Sequence, residues 1–160
     1  MFHPRGPSLF ELAQQALTST ERGYDLLARK FEVTPFRTPD VLLAPFFAHV
    51  FANGSVASAL DVACGTGAQL KYLAPHVTRR LTGVDFSQGM LDEAARQLPD
   101  VKQLELRRLD ARALPFAQEF DLVTSAGAFG HFVGADEDAL LDGISRALVP
   151  GGRFVFLTTP

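Results

Sequence analysis

Beyond Asn53-Gly54, short apolar and β-branched runs alternate with stretches whose apolar residues recur every three or four positions. The runs predict five strands, over about 57–63, 80–85, 102–109, 120–125 and 153–158. The amphipathic stretches predict helices over about 68–74, 88–97 and 136–148. Strands that alternate with helices form βαβ units, so the pattern predicts an α/β fold with a doubly wound, mostly parallel sheet. Pro150-Gly151-Gly152 reads as the stop between the last helix and the last strand.

Before Asn53 the chain is helical and Phe-rich. Ser8 with Glu11 is a capping-box signature, and Leu9, Leu12, Ala13 and Ala16 give the helix behind it one apolar face. A second helix is predicted over about 21–31, ended by Thr34-Pro35. Thr38 can cap a third helix with Pro39 at its first position, and Pro45 should kink that helix or delay its start. The division expected is a helical cap over 1–53 and a ligand-binding unit over 54–160.

Composition narrows the class. The 160 residues include 15 basic and 18 acidic side chains, for a net charge of −3. That balance offers no clustered positive field for nucleic acid. Apolar residues make up 47% and charged ones 21%, which suits a globular domain and disfavours disorder. Cys64 is the only cysteine and the four histidines are scattered, so neither an internal disulfide nor a metal-ligand spacing is present. No run approaches the roughly 18 apolar residues of a membrane span, and the first ten residues do not read as a secretory signal. A cytoplasmic address is the expectation.

The chemistry gathers at the ends of the strands. The first strand runs through Asp61 into Gly65-Thr66-Gly67 and then a helix. Glycines let a backbone pass close to a bound molecule, and a helix start offers free N–H groups. Asp85 ends the second strand at the distance where nucleotide-binding folds hold ribose hydroxyls, and Asp110 ends the third. Each acid has a structural alternative. Asp61 can satisfy backbone donors of the glycine turn, Asp85 can help cap the helix after Ser87, and Asp110 can make an Asx turn. Three carboxylates on one sheet edge together favour a shared nucleoside ligand.

The segments Asp61-Val-Ala-Cys-Gly-Thr-Gly67, Gly83-Val-Asp85-Phe-Ser87, Leu109-Asp110-Ala111, Phe120-Asp-Leu-Val-Thr-Ser125 and Leu148-Val-Pro-Gly-Gly152 occur in this order. The set resembles the motifs of class I S-adenosylmethionine-dependent methyltransferases, which implies a Rossmann-like sheet under an N-terminal helical cap. The resemblance implies that Asp61, Ala63, Gly65 and Gly67 surround the methionine part of S-adenosylmethionine. Asp85 would hold both ribose hydroxyls, with Phe86 against adenine and Ser87 beside it. Asp110 and Ala111 would meet the adenine amino group, and Ser125 and Ala126 would stand where the methyl group is presented. Ala63 replaces a glycine that many members carry. The family usually adds an antiparallel hairpin after the fifth strand, so an exposed fifth strand implies association with a second copy.

The implied reaction is transfer of a methyl group from S-adenosylmethionine to a small-molecule acceptor by in-line displacement, leaving S-adenosylhomocysteine. His131, in Ala128-Phe-Gly-His-Phe132, is the candidate base, against the alternative of a packed loop residue. Cys64 reads as a small packing residue. Tyr24, Phe31, Phe36 and Arg37 either line an acceptor entrance or pack the cap. Arg79-Arg80 and Arg107-Arg108 read as a solvated face. Two other functions compete: a methyltransferase-like module that binds without turnover, and a nicotinamide-dependent oxidoreductase. The latter lacks support, because Leu70 stands at the third glycine position and no Tyr-x-x-x-Lys is present.

Overall fold

The computed structural model describes residues 6–8, 10–11, 17–34 and 37–158. The elements are α1 (Thr20–Leu27), α2 (Asp40–Val50), β1 (Val56–Val62), α3 (Leu70–Leu73), β2 (Val77–Asp85), α4 (Gln88–Gln97), β3 (Leu104–Arg108), β4 (Phe120–Ala126), α5 (Ala135–Ala147) and β5 (Leu148–Leu157). The five strands form one sheet in the order β3-β2-β1-β4-β5, and every pairing is parallel. The predicted α/β sheet is therefore the observed one. Its order reverses between β1 and β4, which opens a crevice at their carboxyl ends.

Each face of the sheet has its own core. Ala59, Leu81 and Leu122 pack with Leu43, Phe47 and Val50 of α2, Leu70 and Leu73 of α3 and Leu91 of α4. On the other face Leu60, Val62, Val84 and Val123 meet Leu140, Ile144 and Ala147 of α5, with Leu114 and Phe116. Successive strand residues alternate between these clusters, so the inner strands are apolar on both sides. At roughly 25 cal/mol per Å² of apolar area, this two-sided burial is the main stabilising term of the fold.

Several boundaries differ from the sequence reading. The predicted helix over 68–74 shrinks to α3, followed by a tight 3₁₀ turn over Ala74–His76 that carries Pro75. β2 starts at Val77 because Val56 pairs with it. β5 begins at Leu148, directly after α5, so Pro150-Gly151-Gly152 lies inside the strand. The register of β4 against β5 shifts there, between Phe120 and Leu122. The second predicted helix divides into α1 and a 3₁₀ segment over Ala28–Val33. Thr38 does not cap α2. Pro39 is its N-cap, and the Pro39 carbonyl accepts from Leu42 and Leu43. Pro45 sits inside α2, which runs through it. The carbonyl left over is that of Val41, a residue 77% exposed, where water can take its place.

The capping box forms. Ser8 N donates to Glu11 Oε2 at 2.7 Å, and Glu11 N donates to Ser8 Oγ at 3.2 Å. The predicted apolar face at Leu9, Leu12, Ala13 and Ala16, like Phe36, lies outside the described residues. α1 and the 3₁₀ segment after it lean over the carboxyl edge of the sheet, while α2 packs on its face. Asp25 of α1 accepts from Ser87 Oγ at 2.5 Å and from Gly89 N at 2.9 Å, at the start of α4. Glu21 meets Arg108, and Glu32 accepts from Thr66 Oγ1 at 2.5 Å.

Candidate cofactor-binding site

β1 delivers Asp61 to its carboxyl end and then turns sharply. Ala63, Gly65 and Gly67 all adopt positive φ, at 56°, 53° and 87°. Gly67 N closes the turn on Cys64 O at 2.9 Å. A side chain at Gly65 would meet nothing within 4 Å, whereas one at Gly67 would lie 3.2 Å from Ala94 Cβ and Leu98 Cδ1. The turn therefore has open space on one side and α4 pressed against the other. Bare backbone at Gly65 thus faces open space, as a ligand cradle requires.

Two carboxylates flank it. Asp61 is fully buried, and its Oδ1 accepts from Gln69 Nε2 at 2.8 Å and Thr124 Oγ1 at 2.9 Å. Its Oδ2 has no partner among the described residues, nor has Gln69 Oε1. Burial pushes the Asp61 carboxyl up to about 8, and the charge of Asp85 adds to this against the lowering bond from Thr124. Asp85 is 6% exposed, and its two oxygens accept from Gly65 N and Ser87 N, each at 2.9 Å. Burial raises its pKa too, against those backbone bonds. Asp85, not Asp61, therefore satisfies the backbone of the glycine turn. Asp61 serves side chains instead, because it points into the α2–α4 face of the sheet with Thr124, its register partner on β4.

The third acid stands apart. Asp110 caps the 3₁₀ turn over Ala111–Ala113 by accepting from Arg112 N at 2.9 Å, so the Asx-type alternative forms. Its carboxylate also pairs with the Arg112 guanidinium at 2.6 Å, which holds its pKa below the ordinary value. Both groups are about half exposed, so this pair contributes little stability. Asp110 remains on the carboxyl edge, one strand beyond Asp85, while Ala111 is buried behind it.

The other predicted residues surround this floor. Phe86 is half-buried, 5.8 Å from the Tyr24 ring in an edge-on contact. Ser87 caps α4 by accepting from Met90 N at 3.2 Å. Ser125 is buried at the end of β4, and Ala126 follows it opposite Leu157 of β5. His131 is exposed on the 3₁₀ turn over Phe129–His131, just past β4. Cys64 is buried, and burial followed by the charges of Asp85 and Asp61 pushes its thiol well up, which fits packing and not nucleophilic attack. Arg37 pairs with Glu32 at 2.8 Å and Asp40 at 2.9 Å, which orders the cap. Arg80 bridges Glu119 at 2.7 Å and lies over the Phe120 ring, so its side chain is only partly solvated. Among the described residues no group of His, Cys, Asp and Glu could hold a metal ion, and no helix is long and apolar enough to cross a membrane.

The sequence reading missed Gln69, Thr124, Asp25 and Glu32. Thr124 had a signal: a hydroxyl at an inward position of an otherwise apolar strand needs a buried partner. Gln69, Asp25 and Glu32 had none, because helical surfaces tolerate such residues anywhere.

A sheet that switches order beside a glycine turn, with a buried acid ending the next strand, defines an α/β domain of the nucleoside-binding class. Within that class the sequence comparison is specific, since the profile of the methyltransferase domain family matches residues 59–152. The chain belongs to that family, and the class I resemblance of its motifs holds. It is 45% identical over 107 residues to the demethylmenaquinone methyltransferase of Deinococcus radiodurans, a match covering 63% of this chain and 42% of that protein. It is 41% identical over 108 residues to the enzyme of the same name from Staphylococcus saprophyticus, covering 66% and 46%. The chain thus spans less than half the length of these curated relatives. The fold matches that of the N-methyltransferase NodS from Bradyrhizobium japonicum, solved with S-adenosyl-L-homocysteine, with a TM-score of 0.76 at 21% identity. That match covers 87% of this chain and 72% of NodS.

Proposed function

We propose that the chain binds S-adenosylmethionine in the crevice above β1, β2 and β4 and transfers its methyl group to a small-molecule acceptor. One observation carries the proposal: two buried carboxylates, Asp61 and Asp85, flank a glycine turn that faces open space at Gly65. Asp85 accepts backbone bonds, among them from Gly65 and Ser87, and keeps acceptor capacity that suits a ribose hydroxyl. Phe86 offers an apolar surface for adenine, with Asp110 and Ala111 at its far side. Ser125 and Ala126 border the place of the reacting group.

S-adenosylmethionine supplies a methyl group already activated on sulfur. The chain's own task is to align the acceptor and exclude water. The cap serves the second purpose, since Glu32 and Asp25 seat it on the glycine turn and on α4. His131 is the candidate base for an acceptor that must lose a proton. The names of the curated relatives support a demethylmenaquinone-like acceptor. The reading includes a cytoplasmic setting, and pairing of two copies along the outer edge of β5 would appear as a doubled mass in solution.

Calorimetric titration tests the proposal. S-adenosylhomocysteine should bind and NADH should not; the reverse would favour the oxidoreductase. Asp85→Ala should weaken binding by roughly 1.5–3 kcal/mol, the range for hydrogen bonds to a charged group. Unchanged affinity in a folded variant would remove Asp85 from the site. Binding without methyl transfer to any quinol acceptor would favour the module that does not turn over.

A further inference from the structure

The surroundings of Asp61 are short of one hydrogen. Its Oδ1 accepts two bonds, from Gln69 Nε2 and Thr124 Oγ1, while its Oδ2 and Gln69 Oε1 are buried with no partner. Both unpartnered atoms are acceptors, and they belong to two groups already joined by one bond. A carboxylic acid and a primary amide can exchange two hydrogen bonds in one ring, the amide N–H to the acid carbonyl and the acid O–H to the amide carbonyl. The first bond is present at 2.8 Å. A single proton on Asp61 Oδ2 would supply the second and satisfy both orphans.

The charges around the pair favour keeping that proton. The titratable groups facing Asp61 are Asp85 of β2 and Cys64 of the glycine turn. The start of α3 contributes the neutral Gln69 and β4 the neutral Thr124. No lysine, arginine or histidine makes an ion pair with Asp61 among the described residues, so an ionised Asp61 would be a buried charge beside a second acid.

We propose that Asp61 stands in the ligand-free site as a neutral acid paired through Oδ2–H with Gln69 Oε1, and releases that proton to solvent when a ligand bearing a cationic group settles by the glycine turn. The step breaks only the Asp61 O–H bond, and the positive charge of the ligand takes the place of the proton. Gln69 is thereby a positioning residue that turns the carboxyl and holds its proton. This rests on the cofactor reading above, because S-adenosyl ligands carry an α-ammonium group.

Calorimetry of the full chain with S-adenosylhomocysteine, at pH 6 in two buffers of different ionisation heat, counts the protons released. About one should be released per ligand bound, and affinity should rise about tenfold per pH unit between pH 5 and 7. Binding with no proton released, and with flat affinity, would overturn the proposal while leaving the cofactor reading intact. No binding at any pH would overturn both. Infrared spectroscopy of the ligand-free protein tests the pair itself. The wild type at pH 6 should show a protonated-carboxyl band that Asp61→Asn lacks and that Gln69→Leu moves to higher frequency as the acid loses its acceptor. A band that Gln69→Leu leaves in place, or its absence from the wild type, would overturn the pairing.

Discussion

Ala63 is a residue with a side chain in a conformation that suits glycine. Its φ of 56° lies in the left-handed region, where a Cβ crowds the following carbonyl and costs roughly 1–2 kcal/mol. Ala63→Gly should remove that cost. The substitution also gives the unfolded chain more freedom, which takes back roughly 0.5–1 kcal/mol. The net expectation is a gain of roughly 0.5–1 kcal/mol, or a rise of about 1–4 °C in Tm for a chain of this size. Gly67→Ala is the reciprocal change. At φ 87° the new Cβ is strained, and it would lie 3.2 Å from both Ala94 Cβ and Leu98 Cδ1. A loss of roughly 1–3 kcal/mol is expected, since strain and overpacking act together. Thermal and urea unfolding followed by circular dichroism measure both. A lower midpoint for Ala63→Gly would refute the reasoning, because it would mean that the turn gains more from the alanine methyl than it loses to backbone strain.

Other outcomes follow from the same contacts. The folded state holds a proton on Asp61 up to about pH 8, whereas an unfolded aspartate loses it near pH 4. The folded state is then the better proton binder between these limits, so this group's contribution to stability falls as pH rises through that window. By pH 7 the decline amounts to up to roughly 4 kcal/mol, and Asp61→Asn should flatten it in urea titrations at pH 5, 6 and 7. Asp25→Ala removes the acceptor for Ser87 Oγ and Gly89 N and should cost about 1 kcal/mol, with faster proteolysis before residue 40. Gly89→Ala would place a Cβ 3.0 Å from the Asp25 Cα. It should push α1 away and cancel the gain in helix propensity of roughly 1 kcal/mol, whereas a more stable variant would show that the contact is slack.

The sheet was legible because strand and helix periods differ and the inner strands are apolar on both faces. Glycine turns and buried acids at strand ends were legible too, since few residue types can occupy them. The start of β5 was not, because Pro150-Gly151-Gly152 reads as a break, and only pairing with β4 shows that it extends the strand. The cap of α2 was misread for a similar reason: Thr38 has the right chemistry, but the chain turns one residue later, at Pro39. At the site, the three acids looked equivalent in sequence. Burial separates them, since Asp61 and Asp85 are enclosed while Asp110 is taken up by Arg112, two residues away. The contacts that seat the cap join positions as far apart as Glu21 and Arg108, and no local pattern encodes them.

Those long-range contacts set an order of events for a growing chain. Glu21, Asp25 and Glu32 leave the ribosome before their partners Arg108, Ser87 and Thr66, which follow 87, 62 and 34 residues later. Closing such loops is slow compared with forming a local helix. The cap segment must therefore wait for its last partner, Arg108 of the third strand, and β4, which completes the crevice, follows only after that.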